Sequence, residues 1–223
     1  ISGASGILSN TLNTGDVVEV TASFSEAVLV NTTSGSPRVQ LNIGGTLVYA
    51  TYASGSGTTD LLFNYTILAG QNDANGISYG ANALGPNGGT LLDGTGNAAV
   101  ITASARTDNS NYKVDTTAPT VTVGSDKASL LAGQTAAITF TFSEDPGASF
   151  DAADITLSNG NLSTLSGVGL TRSATFTPTA NLTSGNGSVA VNVGSYQDAA
   201  SNVGAAGSSG LITLDTAAPT VLS

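Results

Sequence analysis

Residues 136–144 read Ala136-Ala137-Ile138-Thr139-Phe140-Thr141-Phe142-Ser143-Glu144, an apolar/polar alternation of period two that stops on an acid. Successive strand side chains point to opposite faces, so Ile138, Phe140 and Phe142 share a buried face while Thr139 and Thr141 share the other. The same alternation occupies Asp16–Phe24, with Val18, Val20, Ala22 and Phe24 on one side. Its end, Thr21-Ala22-Ser23-Phe24-Ser25-Glu26, matches Thr139-Phe140-Thr141-Phe142-Ser143-Glu144. No segment carries a sustained helical period, and short apolar alternations bounded by Gly, Asn, Asp and Ser predict an all-β chain.

Outward from these strands, the chain repeats itself. Asp115-Thr116-Thr117-Ala118-Pro119-Thr120-Val121 returns as Asp215-Thr216-Ala217-Ala218-Pro219-Thr220-Val221, 100 residues later, the length of one small β domain. Proline fixes φ and pushes the residue before it toward extended geometry, so the heptad reads as a stiff passage between domains. A third landmark, Asp93 with Asn97, recurs as Asp198 with Asn202. Glu26 and Asp93 stand 67 residues apart and Glu144 and Asp198 only 54, so the first copy is larger in its middle. Two tandem antiparallel β-sandwich domains follow, 1–116 and 117–223.

Composition narrows function. With 5 Lys+Arg against 15 Asp+Glu, nothing neutralises phosphates, and nucleic acid is excluded as a partner. The chain has neither Cys nor His. Disulfides are thereby excluded, another staple is called for, and the usual general base and most zinc sites are missing. No long apolar run points to membrane insertion. The chain begins inside a segment and ends just after a linker, so it is expected to be a piece of a longer protein.

Other elements are expected at Arg38–Ile43, with Val39, Leu41 and Ile43 inward, and at 46–52 beyond a Gly44-Gly45 hairpin turn. The first domain adds strands at 59–68, from Ile77, and near 98–105 and 111–115. The strand from Asp16 is expected to end at Ser25-Glu26, before an irregular loop to Gly35. In the second domain strands are expected at 120–123, 155–157, 161–168, 172–177, 188–193 and 211–214.

The F-S-E strand end, the D-x-x-x-N loop and the D-T-x-A-P linker, in that order, resemble the bacterial Ig-like extender repeats of giant surface adhesins. These are RTX-type proteins of Gram-negative bacteria, exported by type I secretion. Gln40–Ala99, with its Gly-Gly hairpin, N-D-A-N-G-I turn and D-G-T-G-N loop, is especially similar to that class. The resemblance implies Ig-like, cadherin-like sandwiches stiffened by Ca²⁺. In the second loop, Asp198-Ala199-Ala200-Ser201-Asn202 carries Ser201 where the family more often has Gly.

Strand direction gives the acids a meeting place. In an antiparallel sandwich the second strand returns to the pole from which the first left. The loop after it, Glu144–Asp154, therefore shares that pole with the loop before the last strand, Asp198–Asn202, and with the arriving linker. The predicted site is Asp115, Glu144, Asp145, Asp198 and Asn202, with Asp151 or Asp154 as a further ligand. Crowded carboxylates repel, and Ca²⁺ takes roughly 6–8 oxygens from irregular loops. Glu26, Asp93 and Asn97 form the matching half-site of the first domain, and Asp215 awaits a following domain. Asp73 is read as a further ligand facing the central linker or as a plain Asx turn.

The expected function is a structural spacer, not an enzyme: a monomeric, extracellular, calcium-rigidified segment of a bacterial cell-surface adhesin. Its partners are neighbouring repeats of the same chain, and it projects a distal binding domain for cell adhesion and biofilm formation. The alternative is a ligand-binding module for sugar, ice or protein on a sheet surface. Tyr49, Tyr52 and Tyr65 suit core or cross-strand packing better than a sugar-binding strip. Asp151 and Asp154 lie in a short loop without an aromatic-lined cleft, which disfavours a glycosidase.

Overall fold

In a computed structural model that describes residues 1–221, the chain divides into two compact units, Ile1–Thr117 and a second beginning at Ala118. Both are all-β, and no α-helix occurs among the described residues.

Unit 1 is built on β1 (Gly3–Ser5), β2 (Thr11–Leu12), β3 (Val17–Asn31), β4 (Arg38–Ile43), β5 (Thr46–Ser54), β6 (Thr58–Thr66), β7 (Leu84–Gly85), β8 (Thr90–Leu92) and β9 (Lys113–Val114). One sheet runs β1-β3-β6-β5-β4-β7, and β8 pairs with the far half of β3. The predicted Val39, Leu41 and Ile43 are buried, with Val18, Val20, Leu61 and Phe63. Gly44 and Gly45 turn the β4–β5 hairpin with φ of 54° and 88°, a pair of left-handed positions that suits a type I′ turn.

Three strand expectations fail here, the first being the strand from Ile77, where only isolated bridges of Ser78 with Asn42 and Tyr79 with Arg106 form. β3 does not end at Ser25-Glu26. A register shift between Ser23 and Val28 lifts Ser25-Glu26 out of the ladder. Val28 then returns to the core and Leu29–Asn31 pair with β8. The stretch near 98–105 forms no strand. Val100 within it is 79% exposed, and only scattered contacts tether it, such as Ala99 N–H to Leu91 O (2.9 Å).

Unit 2 comprises β10 (Val121–Ser125), β11 (Ser129–Leu131), β12 (Ala136–Phe142), two 3₁₀ turns (Gly147–Ser149 and Ala152–Asp154), β13 (Ile155–Ser158), β14 (Gly160–Leu162), β15 (Thr171–Pro178), β16 (Gly185–Val191), β17 (Gly207–Ser208) and β18 (Ile212–Asp215). Its sheets run β10-β12-β15-β14 and β11-β18-β16-β13. β12 alternates buried and exposed along its whole length, so the opening alternation does form a sandwich face. The sheets are antiparallel but for one pair in each unit: β2 with β9 and β11 with β18 are parallel.

Three aromatics of the unit 2 core form a cluster. Phe142 lies edge-on to Phe150 (centroids 4.8 Å) and to Tyr196 (5.3 Å), and Phe150 lies 5.9 Å from Tyr196. Each buried ring contributes about 1.5–3 kcal/mol from burial, and such edge contacts add about 0.5–1.5. Phe150 sits in the acidic loop and Tyr196 two residues before Asp198, so the cluster fastens both loops to β12.

Candidate metal centre

Glu144 follows Phe142 by two residues, and Asp198 follows Tyr196 by two. Stacking of the rings therefore sets the acids side by side, and each presents a carboxylate oxygen within 4.8 Å of the other's. At that separation like charges repel by about 3 kcal/mol at an effective dielectric near 20, and by less where water enters. Tyr196 is held in turn by its hydroxyl, which lies 3.2 Å from Pro119 O and 3.0 Å from Ala205 O. Burial pushes its phenol pKa up.

Asp198 belongs to a closed five-residue turn. Its Oδ1 accepts from Ala200 N–H (2.8 Å) and Asn202 N–H (2.9 Å), and its Oδ2 from Asn202 Nδ2 (3.0 Å). Both residues are buried. Unit 1 repeats the turn: Asp93 Oδ1 accepts from Thr95 N–H, Thr95 Oγ1 and Asn97 N–H, all at 2.8 Å, and Oδ2 from Asn97 Nδ2 at 2.7 Å. The Asn97 amide is the largest cause holding the Asp93 carboxyl well below the usual carboxylate range. The residue before the Asn is left-handed in both turns, Gly96 at φ 95° and Ser201 at φ 67°. Ser201 thus keeps the family turn against its own preference. Glu26, Asp93 and Asn97 line one depression, so the half-site predicted for unit 1 is brought together.

The other predicted acids make local contacts of their own. Asp151 Oδ1 accepts from Ala153 N–H (2.7 Å) and buried Asp154 Oδ2 from Asp151 N–H (2.7 Å), a reciprocal cap on the second 3₁₀ turn. Asp145 closes an Asx turn on Gly147 N–H (2.9 Å) and pairs with Arg172 at 3.4 Å. Asp73 is buried, with Oδ1 on Gly76 N–H and Oδ2 on Gly44 N–H, both at 2.8 Å. It ties the β4–β5 hairpin tip to its own turn, as the Asx reading has it. Asp115 lies in unit 1, where its N–H donates to Leu12 O (2.9 Å) and its Oδ1 accepts from Thr117 N–H (3.0 Å). Asp215 ends β18 and is exposed.

The remaining donors are oxygens, as a hard cation such as Ca²⁺ requires, and the Asp198 carboxylate is held in a fixed orientation before any ion arrives.

Two features escaped sequence reasoning. Arg172 is buried on β15, its guanidinium donating to Gly169 O (2.6 Å), Gly147 O (3.1 Å) and Asp145 Oδ1 (3.4 Å). A charge at an inward strand position was its signal. The second is the Thr of each heptad. Thr116 Oγ1 donates to Gln71 O (3.0 Å) and accepts from Gly70 N–H (2.9 Å). Thr216 Oγ1 donates to Thr179 O (2.7 Å) and accepts from Leu182 N–H (2.9 Å). Each unit grips its outgoing heptad in the same way.

A repeated sandwich with repeated polar turns at its strand ends has a counterpart among known families. Residues 115–214 match the family model of the bacterial Ig-like domain. The bacterial Ig-like stretch takes in Asp115, Glu144, Asp198 and Asn202 and closes one residue short of Asp215. Bacterial Ig-like domains are typically non-enzymatic and commonly surface-exposed. Among the described residues no helix is long and apolar enough to cross a membrane. A search of curated proteins gave no match.

On the sheet surface of unit 1, the three tyrosines do not form a strip. Tyr49 faces outward, with the Arg38 guanidinium 3.7 Å over its ring. Tyr52 and Tyr65 pack against the core, Tyr52 edge-on to Phe63 at 5.9 Å.

Proposed function

We propose that the chain is a calcium-rigidified extender of a bacterial cell-surface adhesin of the type I-secreted RTX class, projecting a distal binding domain for adhesion and biofilm formation. The observation that carries this reading is the pair Glu144 and Asp198, set within 4.8 Å by two aromatically fastened loops, together with its echo at Glu26, Asp93 and Asn97. The bacterial Ig-like match supports a structural module. Asp115, the first residue of the heptad, would complete the shell with Glu144, Asp198 and the Asn202 side-chain oxygen.

Chain connectivity supports a stiffening role. Thr116 is gripped by unit 1, and Pro119 O accepts from Ala205 N–H (2.9 Å) in unit 2. Only Thr117 and Ala118 stand between the two anchors, and Ala118 precedes a proline. An ion held by Asp115 and the loops of unit 2 would remove the freedom that is left. Its affinity would fall in the millimolar range of extracellular modules. The partners are neighbouring repeats of the same chain, and the protein is a monomer.

The test is small-angle scattering in calcium and in chelator, on the wild type and Asp115→Ala. Calcium should narrow the wild type to one extended shape and leave the variant unchanged. Identical wild-type profiles in both conditions would reject the metal, and with it the spacer mechanism.

A further inference from the structure

Asparagine followed by glycine is a labile pair in water. Glycine has no Cβ to shield its backbone nitrogen, which can close on the amide carbon of the side chain before it. The chain carries four such pairs: Asn75-Gly76, Asn87-Gly88, Asn159-Gly160 and Asn186-Gly187. The fold treats them differently.

Three of the pairs are held against attack. Gly76 N–H, the attacking nitrogen of the first, donates to Asp73 Oδ1 (2.8 Å), and Asn75 Nδ2 donates to the Asp108 carboxylate. Asn159 Nδ2 donates to Asn186 O (2.9 Å), and Asn159 O accepts from Thr179 N–H (2.9 Å). Gly160 beside it is crowded by the Phe176 ring, 2.3 Å from where a Cβ would stand. Asn186 and Gly187 lie inside β16, opposite Thr213 and Ile212 of β18, and Gly187 is buried.

Asn87-Gly88 lacks these restraints. Both residues are exposed, in the connection between β7 and β8. They form the centre of a tight turn, with φ of 46° and 86° and with Gly89 N–H donating to Pro86 O (2.8 Å). Among the described residues nothing accepts from Gly88 N–H. The Asn87 side chain donates from Nδ2 to Ser36 O (3.0 Å). Rotation at Asn87 that brings Cγ to the Gly88 nitrogen is thus opposed by that bond and the turn bond.

We propose that Asn87 is the site at which this protein spontaneously deamidates. The Gly88 nitrogen gives its proton to hydroxide and attacks Asn87 Cγ. A C–N bond forms, the Cγ–Nδ2 bond breaks, and the amide takes a proton from water and leaves as ammonia. Water then opens the five-membered succinimide that remains. Opening at Cγ yields aspartate, and opening at the backbone carbonyl yields isoaspartate, whose main chain runs through the side chain. Either way one water is consumed, one ammonia is released and one negative charge is added.

The position gives the reaction a structural consequence. Residues 34–36 and 86–89 meet here backbone to backbone: a Cβ on Gly35 would lie 2.0 Å from Asn87 O, and one on Gly88 2.5 Å from Ser34 O. Isoaspartate lengthens the main chain by one methylene in a space without room for it, and both products lose the amide donor to Ser36 O. The contact joins the loop after β3 to the loop before β8. Its release loosens the ladder of Leu29–Asn31 with Thr90–Leu92.

Ageing of the whole chain in mildly alkaline buffer, followed by peptide mapping with mass spectrometry, tests the assignment. In urea all four pairs are unfolded and give the reference rates. In buffer Asn87 should react within about threefold of its urea rate. The other three should fall at least about tenfold below theirs, because local opening must precede attack. Asn87→Gln, whose longer side chain closes a six-membered ring far less readily, should abolish the early acidic product. Isoaspartate is read by labelling with an isoaspartyl methyltransferase. Aged protein should exchange amide hydrogens faster than fresh protein across residues 29–36 and 84–92, and unchanged across 58–66. An Asn87 slowed tenfold or more by folding, or overtaken by another pair, overturns the proposal; aged protein that exchanges like fresh protein overturns the loosening.

Discussion

Replacing Arg172 by Met removes a buried cation while keeping a side chain of similar reach. The Arg172 side chain is 9% exposed, so its stem packs in the core and Met can occupy that volume. Lost are the hydrogen bonds to Gly169 O, Gly147 O and Asp145 Oδ1. The Asp145 carboxylate is 53% exposed, which limits that ion pair to about 0.5 kcal/mol after screening. Gly147 is exposed and its carbonyl rehydrates, whereas Gly169 is only half-exposed. A charge-assisted bond contributes roughly 1.5–3 kcal/mol, and release of the guanidinium from its desolvated site returns part of that. The net expectation is a loss of about 2 kcal/mol from unit 2, or roughly thirtyfold in its opening equilibrium. Hydrogen exchange read by mass spectrometry in chelator checks it peptide by peptide. Exchange should quicken across residues 143–151 and 169–176 and stay unchanged in residues 17–66. A loss below about 0.5 kcal/mol, or quickening spread evenly over both units, would refute the view that Arg172 nails the acidic loop to β15.

Four further outcomes follow from particular side chains. Ser201→Gly should stabilise unit 2 by about 0.5–1 kcal/mol in thermal unfolding, because Gly takes φ 67° without a Cβ penalty; a destabilised variant would mean the hydroxyl matters more than the backbone. Thr216→Val strands a carbonyl and an amide at a buried position and should cost about 1–3 kcal/mol in denaturant melts, with Thr116→Val costing less because Thr116 is only half-buried. The folded-state pKa of Asp93 is depressed, so its contribution to stability is present above about pH 4 and is lost as pH falls through the lowered folded value. Asn97→Ala should raise that value in a carboxyl NMR titration, and an Asp93 that already titrates normally in the wild type would discard the account. Gly204→Ala would bring a Cβ to 2.2 Å from the Tyr196 ring and should cost about 1–3 kcal/mol or more; calorimetry showing a neutral change would mean the ring is not fastened as described.

Most of the sandwich was legible because period two speaks for itself where β-branched and aromatic residues carry it. β4 and β12 fall on the residues that their alternation predicts. Legibility failed at 98–105, where Val100-Ile101-Thr102 suggests a strand, yet Val100 is 79% exposed and no ladder forms. It also failed at Ser25-Glu26, where a polar pair looked like a strand end and is a bulge inside a longer strand. A bulge keeps the strand's hydrogen-bonding direction while shifting its register, so composition alone cannot separate it from a turn. Among the acids, sequence named the residues but not their partners. Asp73, Asp151 and Asp154 accept backbone amides, as Asp198 does, and spacing alone does not announce such local bonds.

The heptad also held more than its Asp and Pro. Read as punctuation, its Thr looked like filler, although it recurs at the same place in both copies. In the structure Thr116 and Thr216 each place one hydroxyl between a carbonyl and an amide of the unit they leave. Three residues later the Pro carbonyl is already fixed in the unit being entered, and the Val after it is core. A tether of that kind has few soft dihedrals, since Pro fixes its own φ and restricts the residue before it. The peptide between Thr116 and Pro119 thus has few soft dihedrals of its own. The acid at its head sits next to the one anchor and four positions from the other. On the function proposed above, a metal ligand at Asp115 would act with little slack, and the acid that returns as Asp215 would serve the same way.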